Sequence, residues 1–201
     1  MANFVSIFRI FVMFFAVYLI MCFQGDFNAY LWALILTIIA FSLDGVDGYL
    51  ARKLHEESKL GAVLDIMGDR IVENTYWVIF AVMGWISVLF PLIALTRGFI
   101  TDAIRSVAME QGYTAFGVSS MQKNPVCKFI TCSKFMRILY AVAKVVAFLF
   151  IIAAYIPNIP YQEIIMECGM ISAIIAISLC VIRGLPVVIE SKFLFEKNDK
   201  N

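Results

Sequence analysis

Charge is scarce in this chain. Of its 201 residues only 15% are Asp, Glu, Lys or Arg, where ordinary soluble domains carry about a quarter. Together with a hydrophobic content of 62%, spread over several long runs, that scarcity argues against a chain built for water and points to a polytopic membrane protein. An excess of either sign is also missing. The 16 basic and 15 acidic residues leave a formal charge of +1, so no nucleic-acid partner is expected. Histidine occurs once, and the five cysteines (Cys22, Cys127, Cys132, Cys168 and Cys180) contain no C-x-x-C pair. Both facts count against a zinc site or a disulfide framework, and leave buried thiols as the default. No small-residue cleavage site follows the first apolar run, which is read as a retained helix. There is no internal repeat and no sign of a separate soluble domain.

The apolar runs themselves set the expected fold. A membrane-crossing helix needs about 20 mostly apolar residues. Six stretches qualify, near 4–23, 29–51, 62–84, 86–108, 134–156 and 163–183. The expected class is an all-α membrane protein with six transmembrane helices: residues 1–189 form the six-helix domain and 190–201 a polar tail. Short polar or proline-containing turns at 24–28 and 157–162 fit this count, and the join near Gly84 and Trp85 is tight. A surface helix is expected around Val126 to Cys132. With six crossings both termini share one side. That side holds Arg9, then Arg52, Lys53 and Lys59, then Lys123, Lys128, Lys134 and Arg137, and the tail lysines; the opposite turns hold no Lys or Arg. Cytoplasmic loops carry the Lys and Arg excess, which places both termini in the cytoplasm.

One polar stretch, Asp44 to Asp69, stands out against this background. Asp44 and Asp47 are three apart, and Asp65 and Asp69 four apart; either spacing puts a pair on one face of a helix. The first pair ends one apolar run and the second opens the next. Helices joined by a turn near His55 to Lys59 would run antiparallel, so the two pairs meet at one end. Four facing carboxylates repel unless protonated or bridged by cations, and hard divalent ions such as Mg²⁺ or Mn²⁺ suit oxygen ligands. Two such ions suit a displacement at phosphorus. Gly48 and Gly61 remove side chains where a ligand comes close, and Arg52 offers a planar fork to phosphate. The plainer reading pairs these carboxylates with neighbouring Lys and Arg in a solvated loop.

The pattern reads D-x-x-D-G-x-x-A-R-x8-G-x-x-x-D-x-x-x-D, with Asp44, Asp47, Gly48, Ala51, Arg52, Gly61, Asp65 and Asp69 at its fixed positions. It resembles the signature of the CDP-alcohol phosphatidyltransferases. The resemblance implies six transmembrane helices, a homodimer, two Mg²⁺ or Mn²⁺ ions and a CDP-linked donor. It assigns Asp44, Asp47, Asp65 and Asp69 to metal, Asp69 also to general-base catalysis, and Gly48, Arg52 and Gly61 to CDP.

Smaller resemblances point to the phosphatidylglycerol-phosphate synthase branch. Asn3, Ser6 and Arg9, each three apart, are similar to an element preceding the first span there. Asn3 and Ser6 are accordingly candidate CDP ligands. Helix capping by Asn3 or Ser6, with Arg9 at the headgroups, is the alternative. In the fourth span, Arg97 and Arg105 lie eight residues or about 12 Å apart on nearly one face. Arg97 at that depth needs an anionic partner, a carboxylate of the protein or a substrate. Thr96-Arg97-Gly98 resembles a branch element whose third residue is acidic, and Gly98 departs from it. Ser133-Lys134-Phe135-Met136-Arg137 sits where the branch has G-K-x-K-T. Arg97, Arg105, Lys134 and Arg137 are therefore candidates for binding a phosphate on the acceptor, with flanking positive-inside charge as the plainer account.

The expected activity is transfer of a phosphatidyl group from CDP-diacylglycerol to a small polar alcohol, with CMP released. Glycerol 3-phosphate leads as acceptor; inositol phosphate, serine and phosphatidylglycerol are the alternatives. The expected location is a bacterial-type inner membrane, active site toward the cytoplasm. A reading of another class, a divalent-cation transporter, would place its carboxylates nearer the bilayer midplane.

Overall fold

The structure, a computed structural model, describes residues 2–53, 59–113, 122 and 124–192. Among these residues there are seven helices and no strand: α1 (Ala2–Cys22), α2 (Phe27–Lys53), α3 (Lys59–Val82), α4 (Leu89–Glu110), α5 (Pro125–Cys132), α6 (Lys134–Ala154) and α7 (Gln162–Glu190). Three of them are long and apolar enough to cross a membrane: α1 from Phe4, α6 and α7. The others of comparable length, α2, α3 and α4, have 27, 24 and 22 residues. The apolar part of α2 stops at Leu43, where the aspartate motif begins, and α3 and α4 carry charge within their length.

Two boundaries differ from the sequence expectation. Helix α4 begins at Leu89 rather than near 86, because Gly84 takes φ +73° and the chain turns until Val88; glycine adopts that left-handed conformation without steric cost. Helix α7 runs past 183 to Glu190, through Pro186. Its extension is held by packing, since Val187 is fully buried in a cluster with Ala108, Ile104 and Tyr113.

The chain divides into two compact units. One comprises residues 1–88 with 145–171, the other 89–144 with 172–201. In the first, α1 packs along α2 and also meets α3. The order of residues on α1 explains which face turns inward. Ser6, Arg9, Met13, Ala16 and Ile20 are buried, while Phe4, Phe8, Phe11, Phe15 and Tyr18 are exposed. Both sets repeat at helical spacing. The bulky aromatic stripe faces outward, as suits a lipid-contacting surface, and the smaller and polar residues face protein. Helix α2 answers with Ala29, Ala33, Thr37 and Ala40, all buried, and starts at Asp26, whose carboxylate accepts from the Ala29 N–H at 2.7 Å as an N-cap. The core is aromatic. Tyr76, Trp77 and Phe80 of α3 surround Phe148 of α6, with ring centroids 5.2, 4.8 and 5.6 Å away. Trp85 stacks on Tyr155 at 4.2 Å. The Tyr76 hydroxyl meets Thr37 Oγ1 at 2.7 Å, the partner a buried tyrosine needs.

In the second unit α4 buries Pro91, Ala94, Gly98, Thr101 and Ala108, a stripe of mostly small residues at spacings of three and four. The short helix α5 is capped by Asn124, whose side chain accepts from the Val126 N–H, with Pro125 at its first turn. The Asn124 N–H donates to Glu190 Oε1 at 2.9 Å, tying α5 to the end of α7. This is the surface helix expected from the sequence.

Candidate active site

Asp65 and Asp69 lie one turn apart on α3, so their carboxylates share a face. Beneath them sits the Arg9 side chain of α1, only 2% exposed. Its Nη1 donates to Asp69 Oδ1 at 3.2 Å. Its Nη2 donates to the Asp65 carbonyl oxygen at 3.1 Å and reaches Asp65 Oδ1 at 3.4 Å. One guanidinium thus spans two carboxylates, holding them with the fixed geometry of a planar fork. Gly68 makes the approach possible: a Cβ there would stand 2.8 Å from Arg9 Nη2. Neither sequence reading of Arg9 describes this arrangement. The side chain does not reach out to headgroups, because position 9 falls on the inward stripe with Ser6 and Met13.

The donor set suits divalent cations. Carboxylate oxygens are hard ligands, and the Asp65 and Asp69 side chains keep 53% and 48% of their surface exposed while paired with Arg9. The rest of the expected set is not all visible. Asp44, Asp47, Gly48 and Arg52 lie on the last turns of α2 and Asn3 on the first turn of α1, but their side chains fall outside the described residues. Among the described residues no group of three His, Cys, Asp or Glu forms a metal cluster. Gly61 lies in the first turn of α3, and Ser6 is buried one turn from Arg9 on α1.

The second unit holds a group of arginines. Arg183 of α7 is 8% exposed, with its guanidinium 5.4 Å from the Tyr140 ring centroid, within cation–π range. Arg97, Arg105 and Arg137 all lie within electrostatic reach of it. These are three of the four residues expected at an acceptor phosphate; the fourth, Lys134, is exposed. Arg97 crosses close over Gly184, where a Cβ would come within 2.7 Å of its Cγ. Neither Arg97 nor Arg183 forms an ion pair among the described residues, and the Nε of each is buried without a hydrogen-bond partner. Arg183 is absent from the sequence-derived candidates; its signal is a cation closing an apolar run, which by itself also reads as flanking charge. Lys144 leans over Tyr140, its Nζ 5.5 Å from the ring centroid. Outside the spans, the Cys127 thiol of α5 is pushed above its ordinary pKa by burial and then by the Glu190 carboxylate.

The described residues thus form a helical protein with a carboxylate pair on α3 and arginines on α4, α6 and α7. Residues 1–182 match the CDP-alcohol phosphatidyltransferase family, and the chain belongs to that family of phosphatidyl-transferring enzymes. Curated relatives include proteins of Mycobacterium bovis and of two strains of Mycobacterium tuberculosis, each named "Putative cardiolipin synthase" and 29% identical over 92 residues. The match covers 46% of this chain and 44% of each relative, so it spans less than half the length of the curated relatives.

Proposed function

We propose that this protein transfers a phosphatidyl group from CDP-diacylglycerol to glycerol 3-phosphate and releases CMP. Family membership supports the donor and the reaction. The observation that carries the acceptor is the arginine group: Arg97 and Arg183 have no ion-pair partner among the described residues, Arg183 is buried, and a buried cation is costly until an anion joins it. Arg97, Arg105, Arg137 and Arg183 would hold the acceptor's phosphate, with Lys134 at the exposed start of α6.

Asp44, Asp47, Asp65 and Asp69 are the residues assigned to two divalent cations, Mg²⁺ or Mn²⁺. When bound, these supply positive charge to the donor's pyrophosphate. Asn3, Ser6, Gly48, Arg52 and Gly61 are assigned to the CDP moiety. The acceptor hydroxyl has a pKa far above neutral and needs a base; Asp69 takes its proton. The hydroxyl oxygen then bonds to the phosphatidyl phosphorus. The bond from that phosphorus to the bridging oxygen breaks, and CMP leaves with the electron pair. The rest of the reading is a homodimer in a bacterial-type inner membrane, with six crossings, both termini and the aspartates on the cytoplasmic side, a six-helix domain over residues 1–189 and a tail over 190–201.

Phosphatidylglycerol is the second acceptor to consider, because the mycobacterial relatives carry a cardiolipin synthase name and its phosphodiester is also an anion. The test is CMP release by purified protein in detergent, with CDP-diacylglycerol and Mg²⁺, against glycerol 3-phosphate, phosphatidylglycerol, inositol 1-phosphate, inositol and serine. Release with glycerol 3-phosphate, and a KM for it raised by about tenfold or more in Arg183→Gln through loss of a charged hydrogen bond, is the expected result. Release with serine or inositol alone overturns the acceptor assignment. Asp69→Asn should abolish turnover and leave CDP-lipid binding largely intact.

A further inference from the structure

The cation between Asp65 and Asp69 belongs to the protein itself, and this feature carries a further assignment. Arg9 reaches from α1 to α3. It lies on the inward stripe, is nearly inaccessible, and divides its two terminal nitrogens between the carboxylates of Asp69 and Asp65 while also binding the Asp65 carbonyl. The contact to the carbonyl matters, because it anchors the guanidinium to the α3 backbone as well as to two side chains. At Gly68, between the two aspartates, a Cβ would collide with the guanidinium, at 2.8 Å from Nη2 and 3.3 Å from Nε. The first helix, the third helix and the glycine are thus matched to one another.

We infer that Arg9 is a positioning residue for divalent-cation binding: it fixes the rotamers of Asp65 and Asp69 through their Oδ1 atoms, so that the exposed part of each carboxylate is presented to cations in one arrangement. The inference rests on the proposed metal role of these aspartates. Outer groups that orient metal-ligating carboxylates are worth about 10–100-fold in metal affinity. A positive charge that merely stood nearby would have the opposite effect, since it repels cations and its removal would tighten their binding. The sign of the change therefore separates orientation from simple charge.

The experiment is Mn²⁺ titration of the full-length protein in detergent, followed by the loss of the free-ion electron paramagnetic resonance signal, for wild type, Arg9→Lys, Arg9→Gln and Gly68→Ala. Arg9→Lys keeps the charge and loses the fork; Gly68→Ala keeps Arg9 and displaces it, so the inference can be judged even if a position-9 variant does not fold. The expected result is Mn²⁺ affinity weaker by about tenfold or more in every variant that folds, with the Mg²⁺ concentration for half-maximal CMP release raised in parallel and the acceptor KM unchanged. Unchanged or tighter Mn²⁺ binding in Gly68→Ala, or in a folded Arg9→Lys or Arg9→Gln variant, overturns the inference. Wild-type protein that binds Mn²⁺ and releases no CMP with any acceptor would overturn the proposed function and leave the role of Arg9 to be decided by the titration. Wild-type protein that binds no Mn²⁺ would overturn both.

Discussion

Thr37 and Tyr76 show, side chain against side chain, what a buried polar group gains from a partner. Both are fully buried, and Thr37 Oγ1 sits 2.7 Å from both the Tyr76 hydroxyl and the Ala33 carbonyl. Thr37→Val is isosteric but strands the Tyr76 hydroxyl, which should destabilise the protein by about 1–3 kcal/mol. Adding Tyr76→Phe removes the stranded group and should restore most of the loss, read as thermal unfolding in detergent; equal losses in the single and double variants would show that the hydrogen bond contributes nothing. Arg97 and Arg183 are the counterpart, cations without an ion pair among the described residues, and the proposed function gives them the acceptor's phosphate as partner.

The helices differ in what their two faces do. On α1 the aromatic stripe is exposed and the small and polar stripe is buried, the inverse of a water-soluble amphipathic helix. Helical spacing of Ser6, Arg9, Met13 and Ala16 is legible in the sequence, yet which stripe faces protein is settled by α2 and α3, whose Ala33, Ala40 and Gly68 leave the space. The same matching of a glycine to an arginine recurs between α4 and α7, where a Cβ at Gly184 would meet Arg97 Cγ at 2.7 Å and Nε at 2.9 Å. Gly184→Ala should therefore move Arg97 and raise the KM for glycerol 3-phosphate by about tenfold, the scale of one charged hydrogen bond, with the KM for CDP-diacylglycerol unchanged. A wild-type acceptor KM in that variant would remove Arg97 from the acceptor site.

For the chain as a whole the distribution of charge makes an orientation testable. Lys and Arg cluster on alternate connections, and the turns at 24–28 and 157–162 have none. With the native cysteines replaced, Gln24→Cys in intact cells should react with a membrane-impermeant thiol reagent, and Lys128→Cys only after the membrane is opened. The reverse pattern would invert the proposed topology and put the aspartates on the outer side. Removal of divalent cations by a chelator should abolish CMP release, and added Mg²⁺ should restore it.

Composition and spacing were enough to read the helical class, the long apolar runs, the surface helix at Pro125–Cys132 and the aspartate pattern that leads to the family. Each is a local property: the length of an apolar run, a connection too polar to span, a three- or four-residue repeat of carboxylates. What required the folded chain is every pairing across helices. Arg9 is 56 and 60 residues from the two aspartates it joins, and Arg183 of α7 lies within electrostatic reach of Arg97 and Arg105 on α4 and Arg137 on α6. No local spacing encodes those meetings. They follow from which small residues let helices approach closely, and at Gly68 and Gly184 it is a missing side chain that leaves room for an arginine.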